Sequence, residues 1–239
     1  MKINKITRIV FLLFVLAAQI LPAQDQRLVK TKVADVLALL PAADNQQAAR
    51  LFKEIINLGD EGLLLLTEGV QPNGVEEGIP SRYAVSLLTH YATTKEEKAK
   101  IERAYLAALK MSTNAEVKSY FMHNLKLVGS NESVAVLKEY IGDKESFDPA
   151  ISTLVRIGTE DARKALLNAL PNQPAPTQVR LIKALGELNY QPALVAITVF
   201  TANDNVLLKK QALWSVALIA DARFIQRAFA TSKKCWLQE

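Results

Sequence analysis

Residues 150–170 read AISTLVRIGTEDARKALLNAL, and this stretch decides the fold. Ile151, Leu154, Val155 and Gly158 fall at i, i+3, i+4 and i+7, and Ala162, Ala165, Leu166, Ala169 and Leu170 restart the spacing. That pattern predicts two short helices joined by a turn. Gly158 stops the first helix, because glycine takes the left-handed conformation cheaply. Thr159 can cap the second helix through its hydroxyl, and Glu160 and Asp161 suit its positive N-terminal end. A hairpin of this size cannot bury its own apolar stripe, so it requires neighbours stacked on both sides.

Working outward, Val128, Ile157, Leu188 and Ile219 stand at equivalent positions, each closing a first helix, with separations of 29, 31 and 31 residues. Two upstream units ending near Leu58 and Tyr91 fit at looser separations of 33 and 37 residues. Upstream, Val33, Val36, Leu37 and Leu40 form a stripe ended by Pro41, and Ala48, Leu51, Phe52, Ile55 and Ile56 form the next. The pairs Asp44/Gln47, Thr94/Glu97 and Thr113/Glu116 have capping-box spacing, and Asp148 with Pro149 has the pattern of an N-cap followed by a first-position proline. Residues 69–81, GVQPNGVEEGIPS, hold three of the nine glycines and two of the nine prolines, which predicts a loop with a helix starting at Ser81. The run from Pro192, PALVAITVF, is apolar nearly all round and is expected to be the most buried helix. In the following helix, Leu208, Leu213, Val216 and Ala217 are expected to line the core, and Asp221 to cap a last one carrying Phe224, Ile225, Ala228 and Phe229.

The repeat resembles the HEAT repeats, in particular the short-repeat class first noted in phycobilisome lyases. Leu58-Gly59-Asp60, Val128-Gly129 and Ile157-Gly158 carry the turn, and Pro192 keeps the turn proline, while Asn189 and Ala220 stand where the family has glycine. The match is clearest over residues 114–230 within an array spanning 24–239. The resemblance implies an all-α, right-handed α-solenoid of stacked hairpins, about six units, whose second helices line a concave protein-binding surface, with no chemistry. The exported character and N-terminal half also resemble secreted repeat proteins of Bacteroidetes, some of which carry a carbohydrate-processing module. An accessory repeat region of a larger carbohydrate-active enzyme is therefore the alternative to a free-standing interaction scaffold.

Residues 1–23 have the form of a secretory signal peptide: the basic start MKINKITR, an apolar run from Ile9 to Leu21, and Leu21-Pro22-Ala23 before polar Gln24. The run is too short to span a bilayer, so no stable membrane anchor is expected after cleavage, and the destination is the periplasm or the medium. Removing Lys2, Lys5 and Arg8 lowers the formal charge from +5 to +2. That balance gives no basis for a nucleic-acid partner, which usually needs a concentrated basic face. Cys235 is the one cysteine, which excludes an intramolecular disulfide.

Catalytic signatures such as GxSxG, HExxH and CxxC do not occur, and the only histidines are His90 and His123. No catalytic residue, metal or cofactor is expected from this pattern. The candidate binding surface is the outward face of the second helices, where Lys138, Arg163, Lys164, Arg223 and Arg227 lean basic. A protein partner is expected there. Phe224, Ile225, Ala228, Phe229, Trp236 and Leu237 at the C-terminal end leave no polar cap, so either self-association through that end or a longer solenoid of which this is a part is expected as well.

Overall fold

The computed structural model describes residues 28–220, and within them the chain is all-α, with no strand. The signal-peptide segment and the candidates Arg223 and Arg227, together with Asp221, Phe224, Phe229, Cys235 and Trp236, lie outside the described residues. No described helix is long and apolar enough to cross a membrane.

In chain order the α-helices are α1 (Val29–Ala38), α2 (Asn45–Asn57), α3 (Gly59–Glu68), α4 (Ile79–Tyr91), α5 (Lys95–Met111), α6 (Ala115–Val128), α7 (Asn131–Leu137), α8 (Phe147–Ile157), α9 (Glu160–Ala169), α10 (Ala175–Glu187), α11 (Leu194–Thr198) and α12 (Val206–Ile219). The even-numbered helices α2 to α12 form one row, each packed against the next, and α1, α3, α5, α7 and α9 form a second row packed in the same way. The core lies between the rows: Ile55, Leu88, Phe121, Leu125, Leu154, Leu181 and Leu185 face Leu63, Leu66, Ile101, Leu109, Leu137 and Leu166, all buried. Val128, Ile157 and Ile219 are the last residues of α6, α8 and α12, and Leu188 is the C-cap of α10.

Hydrogen bonds between neighbouring units cross this core. Thr89 donates to Asn124 Oδ1 at 2.9 Å, Thr153 to the Met122 carbonyl at 2.8 Å and Ser215 to the Ile182 carbonyl at 2.9 Å, each linking one first-row helix to its neighbour. In the second row, Glu102 is 2% exposed, and its Oε1 accepts the amides of Ser130 and Ser133 at 2.7 and 2.9 Å and their hydroxyls at 3.0 and 2.6 Å. A carboxylate is tolerated there because its donors, the first-turn amides of α7, have no partner inside their own helix.

Turn chemistry follows the expected residues in several places. Gly158 adopts φ 62° and Asn189 φ 47°, so asparagine supplies at the end of α10 the left-handed residue that glycine supplies after α8. Thr94 and Glu97 make the complete capping box, and Thr159 accepts the Ala162 amide. Asp44 accepts the Gln47 amide as well, but Gln47 reaches Ala43 N rather than the cap itself.

Other expectations are corrected. Asn114, not Thr113, caps α6, because its Oδ1 reaches the Glu116 and Val117 amides at 3.0 and 3.1 Å. Ser146 rather than Asp148 holds the N-cap position of α8, and Asp148 pairs with Arg180 at 2.6 Å. The loop after α3 is shorter than residues 69–81: a 3₁₀ turn, Glu76–Gly78, runs into α4, which starts at Ile79 because Pro80 suits a first helical turn. Glu116, free of capping duty, accepts from Arg82 at 2.6 Å and from Asn73 N at 3.3 Å, while Arg82 donates to Gln71 O at 2.9 and 2.7 Å. This loop is therefore tied down onto α4 and α6.

The run from Pro192 is not the most buried helix. Only Ala193 and Ile197 are buried there, and Val195 is 80% exposed, since α11 lies at the described end of the stack with α12 as its main neighbour. In α12 the buried stripe is Leu208, Ala212, Ser215 and Ile219, not Leu213 and Ala217.

Two predictions concern stability. Replacing Glu102 with Ala strands the amide and hydroxyl of buried Ser133, while exposed Ser130 can turn to water, and urea denaturation should show a loss of about 1–3 kcal/mol. Burial pushes the Tyr120 phenol up to about 12 against the opposing charge of Arg82, and burial holds Tyr105 far above its ordinary value of 10. The folded state thus retains protons that the unfolded chain loses, so stability should be full below pH 10 and fall as pH rises beyond it. Thermal melts across the alkaline range, compared with those of Tyr105→Phe, measure that slope, which the variant should flatten.

Candidate partner-binding face

The described candidates from the sequence fall on the second row. Lys138 is exposed in the 3₁₀ turn that extends α7, and Arg163 and Lys164 lie on α9, the neighbour of α7 in that row. They do not form a clean cationic surface. Lys164 approaches Glu160 at 3.9 Å, and Glu160 also accepts the Tyr190 hydroxyl at 2.8 Å. That bond to Glu160, with burial, raises the Tyr190 phenol above its ordinary value, and Arg163 acts against it. Arg163 is half-buried with its Nε enclosed and without a hydrogen-bond partner. Exposed Asp161 and Glu139 add negative charge nearby.

The first row presents a different surface. At the repeat spacing, His123 and Leu127 of α6 correspond to Ser152 and Arg156 of α8, to Lys183 and Glu187 of α10, and to Trp214 and Leu218 of α12. All are solvent-facing except Ser152, which is half-buried. These positions face away from the second row, so no neighbouring helix covers them. Between α6, α8 and α10 they frame a groove of about 570 Å³ lined by His123, Lys126, Leu127, Ser152, Val155, Arg156, Glu187 and Leu188. Leu127, Val155 and Leu188 supply an apolar floor. Lys126 and Arg156 have no carboxylate partner among the described residues, whereas Glu187 has Lys183 at 3.8 Å.

The surface continues to α12, where Trp214 is 66% exposed. No sequence signal isolates Trp214, because α12 is apolar on nearly every side and its outward stripe cannot be told from its inward one by periodicity. A second cleft, of about 430 Å³, opens beside the tied loop between Glu68, Gln71, Met111 and Asn114. It gathers no cluster of titratable groups. Among the described residues no three His, Cys, Asp or Glu side chains come together as a metal site. His90 is exposed on α4, its Nδ1 2.7 Å from the Ser86 carbonyl, and His123 lies on α6 in the groove.

No family model and no curated protein matches the chain. Among solved structures it is similar to an engineered protein determined by the Northeast Structural Genomics Consortium, with 17% identity over 78% of this chain and 96% of that chain and a TM-score of 0.41. A likeness at that score carries no argument about this chain.

Because Trp214 makes its contacts with solvent, Trp214→Ser should change unfolding free energy by no more than about 0.5 kcal/mol. Leu154→Ala, in the fully buried row interior, should cost about 2–5 kcal/mol. Denaturant titration of the two variants separates the surface role from the core role.

Proposed function

We propose that the chain is an exported, non-enzymatic binding scaffold, a right-handed solenoid of about six HEAT-like hairpins that holds a protein partner. The observation that carries this reading is the outer face of the first row, where one set of repeat positions lines a single continuous surface with an open groove and cations that have no counter-charge among the described residues. A stack of hairpins extends such a surface by adding units, and a partner can contact several helices at once. This reading moves the binding face from the second helices, with Lys138, Arg163 and Lys164, to the first. Export rests on the signal-peptide pattern of residues 1–23.

The test is capture from periplasmic extract and culture medium on the immobilised protein, beside a variant combining Arg156→Glu with Trp214→Ser. A partner held by the parent and released by the variant is the expected result. Equal capture by both, or reproducible hydrolase or transferase turnover by the purified chain, overturns the reading.

The same proposal includes self-association through the C-terminal end. Ile182 of α10 is fully buried because α12 covers it, while its equivalent Leu213 in α12 is 52% exposed. Burying a large apolar side chain is worth roughly 1.5–3 kcal/mol, so Val206, Leu213 and Ala217 favour a covering surface. Light scattering at high concentration should find a dimer that Leu213→Ser converts to monomer. A parent protein that stays monomeric removes this part of the proposal.

A further inference from the structure

The groove across α6, α8 and α10 has a chemistry that narrows what it takes. Its floor is apolar, formed by Leu127, Val155 and Leu188, and its volume of about 570 Å³ lies within the usual range for sites that enclose a ligand's side groups. Its charges are unbalanced. Lys126 and Arg156 stand on the α6 and α8 side, and neither has a counter-charge among the described residues. The one carboxylate in the lining, Glu187, has Lys183 of its own helix at 3.8 Å, so it leaves the two cations unneutralised. The neighbouring second-row surface differs, since Lys164 there has Glu160 within 3.9 Å and Asp161 is exposed beside it.

From this geometry we infer that the groove is a docking site for an acidic peptide segment, with one or two aliphatic or aromatic side chains on the Leu127–Val155–Leu188 floor and Asp or Glu side chains against Lys126 and Arg156. This rests on the scaffold reading and names the partner's chemistry. Arginine offers a carboxylate two parallel hydrogen bonds, and Arg156 is exposed with its fork unoccupied by any described residue. A purely polyanionic chain such as a sulfated polysaccharide satisfies the cations but leaves the apolar floor uncovered, so the peptide is favoured. The contacts are solvent-exposed ion pairs around an apolar anchor, which makes the binding salt-sensitive without abolishing it at high salt.

The experiment is selection of a displayed random peptide library on the full chain, followed by fluorescence anisotropy of the enriched peptides and of dextran sulfate. Parent protein is compared with Arg156→Glu, Leu127→Ser and Trp214→Ser, each at an exposed position, with circular dichroism confirming the fold. Enrichment of peptides combining Asp or Glu with apolar residues, weakened at least tenfold by both Arg156→Glu and Leu127→Ser, is the expected result. Enriched peptides that are basic or neutral, or that depend on Trp214 alone, overturn the acidic-peptide assignment and leave the scaffold reading standing. Dextran sulfate binding that depends on Arg156, without peptide enrichment, overturns the assignment too. If nothing binds in a way that depends on any of the three residues, both readings fall.

Discussion

Every helix pair in this protein is too small to cover its own apolar side, and the rest of the structure follows from that constraint. Each first-row helix between α4 and α10 has a neighbour on both sides and the second row behind it, which is why Ile182 and Leu185 are fully buried on a helix of only 13 residues. Close approach then sets local composition. Gly186 lies where a Cβ would come within 2.6 Å of Ser215 Oγ, and that same hydroxyl binds the Ile182 carbonyl. The small residue and the hydroxyl are two parts of one contact, and its hydroxyl half recurs as Thr153 against the Met122 carbonyl. Such polar contacts fix the register of one unit on the next, whereas apolar burial alone tolerates sliding.

Much of this was legible in the residues. The helix-closing positions Val128, Ile157, Leu188 and Ile219 could be read because an apolar stripe ends at each with a regular separation, although only Gly158 is a left-handed glycine, and the structure ends helices at or within one residue of each. Caps were harder where two candidates adjoin. Thr113 and Asn114 both suit an N-cap, and Asn114 wins by reaching two amides at once. At Asp148 the spacing was right, but the side chain lies where Arg180 of the next unit can reach it. That contact joins residues 32 apart, and local pattern cannot anticipate it.

The proposed binding face was poorly legible for a related reason. Positions that no neighbouring helix packs against are under little constraint, and here they run His123, half-buried Ser152, Lys183 and Trp214, which share no chemical type. Only the stack puts them on one line. The basic residues that the sequence puts on the outward face of the second helices have carboxylates beside them in the fold: Glu160 by Lys164, and Asp161 on the same helix turn. Lys126 and Arg156 had no distinguishing mark in the chain, and their value comes from what the fold leaves out around them.

The last described helix separates two kinds of exposure that look alike on a surface map. Leu213 and Ala217 occupy the positions that Ile182 and Gly186 hold in α10, where a following helix closes over them, so their exposure reflects position at the end of the described row. Trp214 and Leu218 occupy the positions of Lys183 and Glu187, which stay in solvent even where a neighbour is present. Another unit stacked on α12 would cover the first pair and leave the second pair exposed. An exposed tryptophan where the preceding unit has a lysine therefore has no explanation in the stacking itself. Apolar side chains kept in water at a position that packing never reaches fit the proposed binding face, where a partner would cover them.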